Sequence, residues 1–290
     1  LTLESASFII FDNYRSFLLK FKSIFILFNV AVGASFLFVF AMPFLALGGD
    51  YAGTFWRANW PLASILVLVL ATIDAFFALN WRLFTLLERE DWPALAHYLE
   101  GRIVEKGRWN PRLVRLLANT YLVLSDADSV VRLEEKGAAA KPSAVNRNTL
   151  VFGVARVLKN DPRSAAEFFA PRRGAKKSES PDWVEWYYAF CLLLDRKFQE
   201  AADVLVPLSA SAKDALVIAL TSSFLKTSVG KALPARADDC AAAAAAAAER
   251  VKVRFPTRAA LDKEFEKARA DIHVVVLSKS IEEAADQLYA

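Results

Sequence analysis

The sequence predicts an all-α protein, with an N-terminal membrane hairpin followed by a stack of soluble helical pairs. Three observations carry this. Residues 23–49 hold no charged side chain, and residues 60–81 hold only Asp74. Beyond residue 82, apolar residues recur at helical spacing in segments of about 12–18 residues, broken by Pro, Gly and Asp/Asn pairs. No segment there alternates as a half-buried strand would.

At 290 residues the chain has room for one large or two modest domains. Hydrophobic residues make up 55% and mean hydropathy is +0.27. That excess sits almost entirely in the first third, so the remainder reads as an ordinary globular domain. The net charge of +4 is too small to argue for nucleic acid, whose binders concentrate Lys and Arg on one face. It suits a cytoplasmic face near anionic lipid. Cys191 and Cys240 are the only cysteines, too few for a disulfide framework.

Residues 7–22 (SFIIFDNYRSFLLKFK) place Phe8, Phe11, Leu18 and Phe21 on one side of a helix. Residues 1–22 are therefore predicted to lie in the membrane interface. An extension of the first span's helix is an equal alternative.

Residues 24–47 are apolar apart from Asn29, Gly33, Ser35 and Pro43. About 20 such residues suffice to cross the hydrocarbon core. A signal peptide's apolar region, of about 7–15 residues, is much shorter. The second span is placed at 60–81, with Tyr51, Trp60 and Trp81 as interfacial rings. Together these make a hairpin domain over 23–81.

Arg15, Lys20 and Lys22 precede the first span, and Arg82 and Arg89 follow the second. The expected loop, 48–59, holds only Arg57, balanced by Asp50. Positive-inside bias then predicts a two-span protein of the inner (cytoplasmic) membrane with both termini cytoplasmic. A carboxylate inside a span is costly, so Asp74 needs an explanation. Asn29 falls at a similar depth, and a hydrogen bond between the two would lock the hairpin. An ion or partner role for Asp74 is the alternative.

In residues 82–231 the clearest unit is WVEWYYAFCLLLDRKFQEAADVLVPL, residues 183–208. One helix ends near Leu194, Asp195-Arg196-Lys197 turns the chain, and a second helix begins at Phe198. Tyr188, Ala189 and Leu192 face Phe198, Ala201 and Leu205. This resembles the tetratricopeptide repeat, in which large and small residues alternate so that two antiparallel helices nest. Residues 111–142 match more loosely through Val114, Leu117, Ala118, Tyr121 and Pro142, with Val130 and Glu134 in the family's Ala and Phe slots. Residues 146–170 match through Phe152, Gly153, Ala165 and Phe169. Residues 90–103 resemble a second helix, with Trp92 at the turn above Leu95 and Leu99. The resemblance covers about residues 85–208 and implies a degenerate α-solenoid. No single repeat carries the full motif.

PRRGAKKSESP, residues 171–181, reads as a basic linker within the array. Residues 232–290 read as helices that cap the stack or serve assembly. They hold the run Ala241 to Ala248, a start at Pro256-Thr257 for a last long helical region, and Ser280 and Glu283 at capping-box spacing.

No phosphate-loop or dinucleotide fingerprint occurs, and His97 and His273 lack neighbours at metal-ligand spacing. His273 is expected on a helix surface and Cys191 in the core. No catalysis, cofactor or metal is expected; binding remains. The resemblance implies a concave groove lined by Arg112, Arg115, Asn119, Arg147, Trp183, Trp186 and Phe190. Arg115 and Asn119 are similar to part of the carboxylate clamp of some tetratricopeptide domains, but Val151 and Val154 stand where polar partners would help. Trp183 and Trp186 are either interface anchors or repeat-packing residues.

The expectation is a non-enzymatic, membrane-anchored adaptor that binds proteins and membrane lipids but not nucleic acid, with self-association left open. The alternative is a structural subunit of a large envelope-embedded machine. Membrane-tethered repeat proteins of the spirochaetal flagellar-motor collar have a similar outline.

Overall fold

The computed structural model describes residues 21–174 and 180–290. The expected interfacial segment therefore lies outside the described residues except for its last two, and so do Lys176 and Lys177 of the basic linker. The described residues are almost wholly helical and contain no strand. The chain divides into two compact units, with the boundary between Leu95 and Ala96.

The first unit is a helical hairpin. Helix α1 spans Phe21–Leu47 and α2 spans Gly49–Glu88. The expected loop over 48–59 shrinks to Gly48, whose φ of 83° is open to glycine at little cost. Helix α2 begins at once and runs for 40 residues through Pro61. Phe40 of α1 stacks on Trp56 of α2 at 4.3 Å. These residues lie eight before and eight after Gly48, as an antiparallel pair requires. Among the described residues, the windows long and apolar enough to cross a membrane are Leu27–Ala46 and Val67–Glu88. At about 1.5 Å per residue, α2 is some 60 Å long, twice a hydrocarbon core.

The second unit is built of successive antiparallel helices. Helix α3 spans Trp92–Glu100, α4 Pro111–Val123, α5 Ala127–Ala140, α6 Pro142–Asn146, α7 Thr149–Leu158 and α8 Pro162–Phe169. Then come α9 (Pro181–Leu194), α10 (Phe198–Ser211), α11 (Ala215–Phe224), α12 (Ala237–Arg254), α13 (Arg258–Ala268), α14 (Ile272–Val275) and α15 (Ser278–Tyr289). Proline opens α4, α6, α8 and α9, where its missing N–H is no loss.

The turns between paired helices repeat. Among the described residues, the non-glycine positions with positive φ are Glu90, Ser125, Asn160 and Arg196, at intervals of 35, 35 and 36 residues. In the first three, an Asp follows, and Asp91, Asp126 and Asp161 each cap the next helix by accepting a backbone N–H three residues on. Four residues past each cap position stand Leu95, Val130, Ala165 and Ala201, all fully buried. Eight past stand Leu99, Glu134, Phe169 and Leu205, also buried.

The opposing helices supply small residues at matching depth: Ala118, Gly153 and Ala189, each buried. Gly153 is required by close approach, because a Cβ there would sit 1.9 Å from Cζ of Phe169. Glu134 departs from the apolar rule. Its carboxylate accepts from Arg156 on α7 at 2.8 Å and lies 3.5 Å from Arg172, and both guanidiniums cover the Phe168 ring. A paired charge thus does there what a phenyl ring does at Phe169. Removing one partner would strand the other in the core, at a cost of about 3–5 kcal/mol.

Helices α4, α7, α9, α11 and α15 pack in that order, each on the next. Helix α12 buries Ala244 and Ala247, and Ser222 of α11 donates to the Ala244 carbonyl. Past Thr257, which caps α13, the chain breaks into three helices in place of one long region. Helix α15 starts at Ser278, so Ser280 lies inside it and forms no capping box.

Candidate functional site

The predicted groove is the face formed by α4, α7 and α9, and the chain's own C-terminal stretch occupies much of it. Helix α14 packs on α7. Tyr187 of α9 donates its hydroxyl hydrogen to the His273 carbonyl, and the Trp183 ring meets the His273 imidazole edge-on at 4.9 Å. Val274, Val275, Val276 and Leu277 are each at most 4% exposed. This stretch is core and not a loosely laid strap.

The candidate residues separate accordingly. Arg112 and Arg147 are exposed, whereas Arg115, Asn119 and Phe190 are half-buried. Trp183 and Trp186 are packing residues, 3% and 1% exposed. Trp186 stacks on Phe190 and meets Phe224 edge-on, and Trp183 donates from its indole to Asp214 at 2.9 Å. They hold α9 to its neighbours and present no open anchor.

Arg115, Asn119 and Arg147 do come together, in a cavity of about 330 Å³ that Asp271 and His273 help to close. Asn148 organises it. Its amide donates to the carbonyls of Pro111 and Ala144, and its oxygen accepts from Nε of Arg115 at 3.1 Å. Arg115 also reaches the Arg147 carbonyl at 3.5 Å. The Asn119 side-chain oxygen is buried there without a hydrogen-bond partner.

His273 lies buried and not on a helix surface. Burial, and secondarily the positive charge of Arg115, push its imidazole down to about 3, so it is neutral at ordinary pH. Its ring takes no hydrogen bond within the protein. Asp271 keeps solvent contact, yet the protein packed around its carboxyl raises its pKa against the pull of Arg115.

Asn148 and His273 escaped the sequence reading. The run Ile272-His273-Val274-Val275-Val276-Leu277 carried the signal for His273, because such an apolar stretch buries whatever it contains. Asn148 left no comparable trace, since a side-chain amide bonded to distant carbonyls has no local pattern.

In the hairpin, Asp74 lies in a groove with Gly33, Phe36, Phe40, Val67 and Leu70. It is exposed and takes no hydrogen bond, so the expected lock with Asn29 is not formed. Cys191 is fully buried, and burial pushes its thiol up to about 12, which leaves it inert. No group of three or more potential metal ligands occurs among the described residues.

Residues 129–290 match the model of a family described as an uncharacterised Treponema protein. The chain belongs to this family. The matched residues run from the start of α5 through α15, and so take in the residues that close the cavity except Arg115 and Asn119. A relative from Treponema pallidum (strain Nichols), described as an uncharacterized protein, is 29% identical over 288 residues, covering 96% of this chain and 90% of its own. That span takes in the hairpin as well as the helical domain.

Proposed function

We propose that this protein is a membrane-anchored, non-enzymatic scaffold. The hairpin sits in the inner membrane with both termini cytoplasmic, and the tetratricopeptide-like domain binds partner proteins at the cytoplasmic face. One observation carries the anchoring. None of the window Leu27–Ala46 and only 6% of Val67–Glu88 is buried by the protein itself, so two long apolar helices are left for lipid to cover. The turn interval of 35–36 residues supports the repeat reading, against about 34 in tetratricopeptide arrays.

Because the C-terminal stretch fills the groove floor, partners would meet its rim, where Arg112 and Arg147 are exposed. Purification of the tagged chain from its native cells in mild detergent, beside residues 85–290 alone, tests this. A discrete partner captured by both, and lost from an Arg112→Glu/Arg147→Glu variant, supports the adaptor. Alkaline carbonate extraction tests the anchor, because a peripheral protein would be released.

A second reading, a structural subunit of an envelope-embedded machine akin to the spirochaetal flagellar-motor collar, is favoured by Asp74. An unpartnered carboxylate facing lipid is expensive, and a neighbouring span would supply its partner. The family's occurrence in Treponema, a spirochaete genus, points the same way. A large complex that forms only with the hairpin present would favour it over the adaptor.

A further inference from the structure

We infer that the cavity closed by Asp271 and His273 binds a small zwitterion, an α-amino acid with a small uncharged side chain. This goes beyond the scaffold reading and stands whether or not the hairpin is a membrane anchor.

One group that lines the space lacks a partner. His273 is 8% exposed, and its imidazole takes no hydrogen bond within the protein. Buried polar groups are nearly always bonded, so a ligand that offers a donor or an acceptor belongs beside it. A neutral imidazole supplies one of each. The cavity has room for roughly ten waters, more than one imidazole needs.

The charges narrow the choice. Arg115 and Arg147 line the cavity and favour a carboxylate, which guanidinium groups bind through strong charge-assisted bonds. Asp271 lines it too and would repel a multiply charged anion. A ligand with one carboxylate and one ammonium meets both demands. The ammonium would donate to Asp271. Leu150, Val151 and Ile272 form an aliphatic wall that suits a short uncharged side chain and penalises a charged one. The site is held rigid from behind, because Asn148 fixes Arg115, and Tyr187 and Trp183 fix the backbone and ring of His273.

Isothermal titration of the purified full-length chain in mild detergent tests this. The probes are glycine, alanine, serine and valine, beside acetate, methylammonium and N-acetylalanine. At least one amino acid should bind with a Kd below about 1 mM, and the three controls roughly tenfold or more weaker, the loss of a hydrogen bond to a charged group. Arg147→Gln and Asp271→Asn should each weaken binding by a similar factor. Both positions are exposed, so these variants should keep the parent's Tm. Three results would overturn the proposal: no amino acid heat at millimolar concentration, meaning a cavity of water only; N-acetylalanine as tight as alanine, meaning a plain carboxylate site; or unchanged affinity in both variants.

Discussion

Leu45 in the hairpin is 83% exposed, and Leu37, Phe38, Leu68 and Leu79 are each more than three-fifths exposed. In the helical domain, Leu117, Leu205, Leu220 and Leu225 are all at or below 1%. Among the large apolar side chains that lie exposed in the described residues, only Leu124, Leu194 and Val253 fall outside the hairpin. The two regions draw on the same residue types and spend them in opposite directions. A soluble domain buries its apolar stripe because water surrounds it. The hairpin turns the same residue types outward along two long helices, which fits the membrane anchor proposed for it.

That contrast can be attacked from either side. The largest expected effect is Trp186→Ala, which removes the centre of the aromatic cluster and should cost the helical domain about 4 kcal/mol, read by denaturant unfolding in detergent. Its failure to destabilise would mean that α9 is not core. Next, Leu37→Arg places a charge in the middle of α1. It should cost about 3 kcal/mol of insertion and shift the chain from the membrane to the soluble or aggregated fraction. Unchanged fractionation would remove the lipid-facing assignment.

The matched pair Leu205→Ala and Leu45→Ala makes the comparison with chemistry held constant. The buried site should lose about 3 kcal/mol, and the exposed one within about 0.5 kcal/mol of nothing. Equal losses would break the contrast.

The smallest effect is a pH dependence confined to the helical domain. His273 is neutral when folded, with its pKa held to about 3, and titrates near its ordinary 6.5 when unfolded. Between those values the unfolded chain binds the extra proton, so stability falls as pH drops below 6.5 and is unaffected above it. From pH 7.5 to 5.5 the loss should be about 1.4 kcal/mol. A His273→Gln variant should lack this component, and an identical pH profile in both proteins would place the imidazole in solvent.

The sequence disclosed these regions unequally. The two apolar helices were legible because long uncharged runs stand out in composition alone. The loop over 48–59 was misread, since Arg57, Asn59 and Pro61 look like breakers, yet a single Gly48 makes the turn. The helix pairs were legible at Leu194–Phe198, where turn residues separate two apolar stripes. The regular recurrence of Glu90-Asp91, Ser125-Asp126 and Asn160-Asp161 was present in the text but disguised, because the residues in the left-handed position differ each time. The cavity was half legible. Arg115, Asn119 and Arg147 could be placed through the repeat resemblance. Asp271 and His273 reach them only through a return of the chain across more than a hundred residues, and periodicity cannot report that.

The bond from Tyr187 to His273 joins positions 86 residues apart. In an ordinary solenoid each pair of helices can settle as it leaves the ribosome, since its contacts are all local. Here a contact that closes the α7–α9 face is not local. The α7–α9 face must then wait, bare and apolar, until residues 271–277 arrive to cover it. A chain that lacked residues 271–277 would leave that inner face open to water.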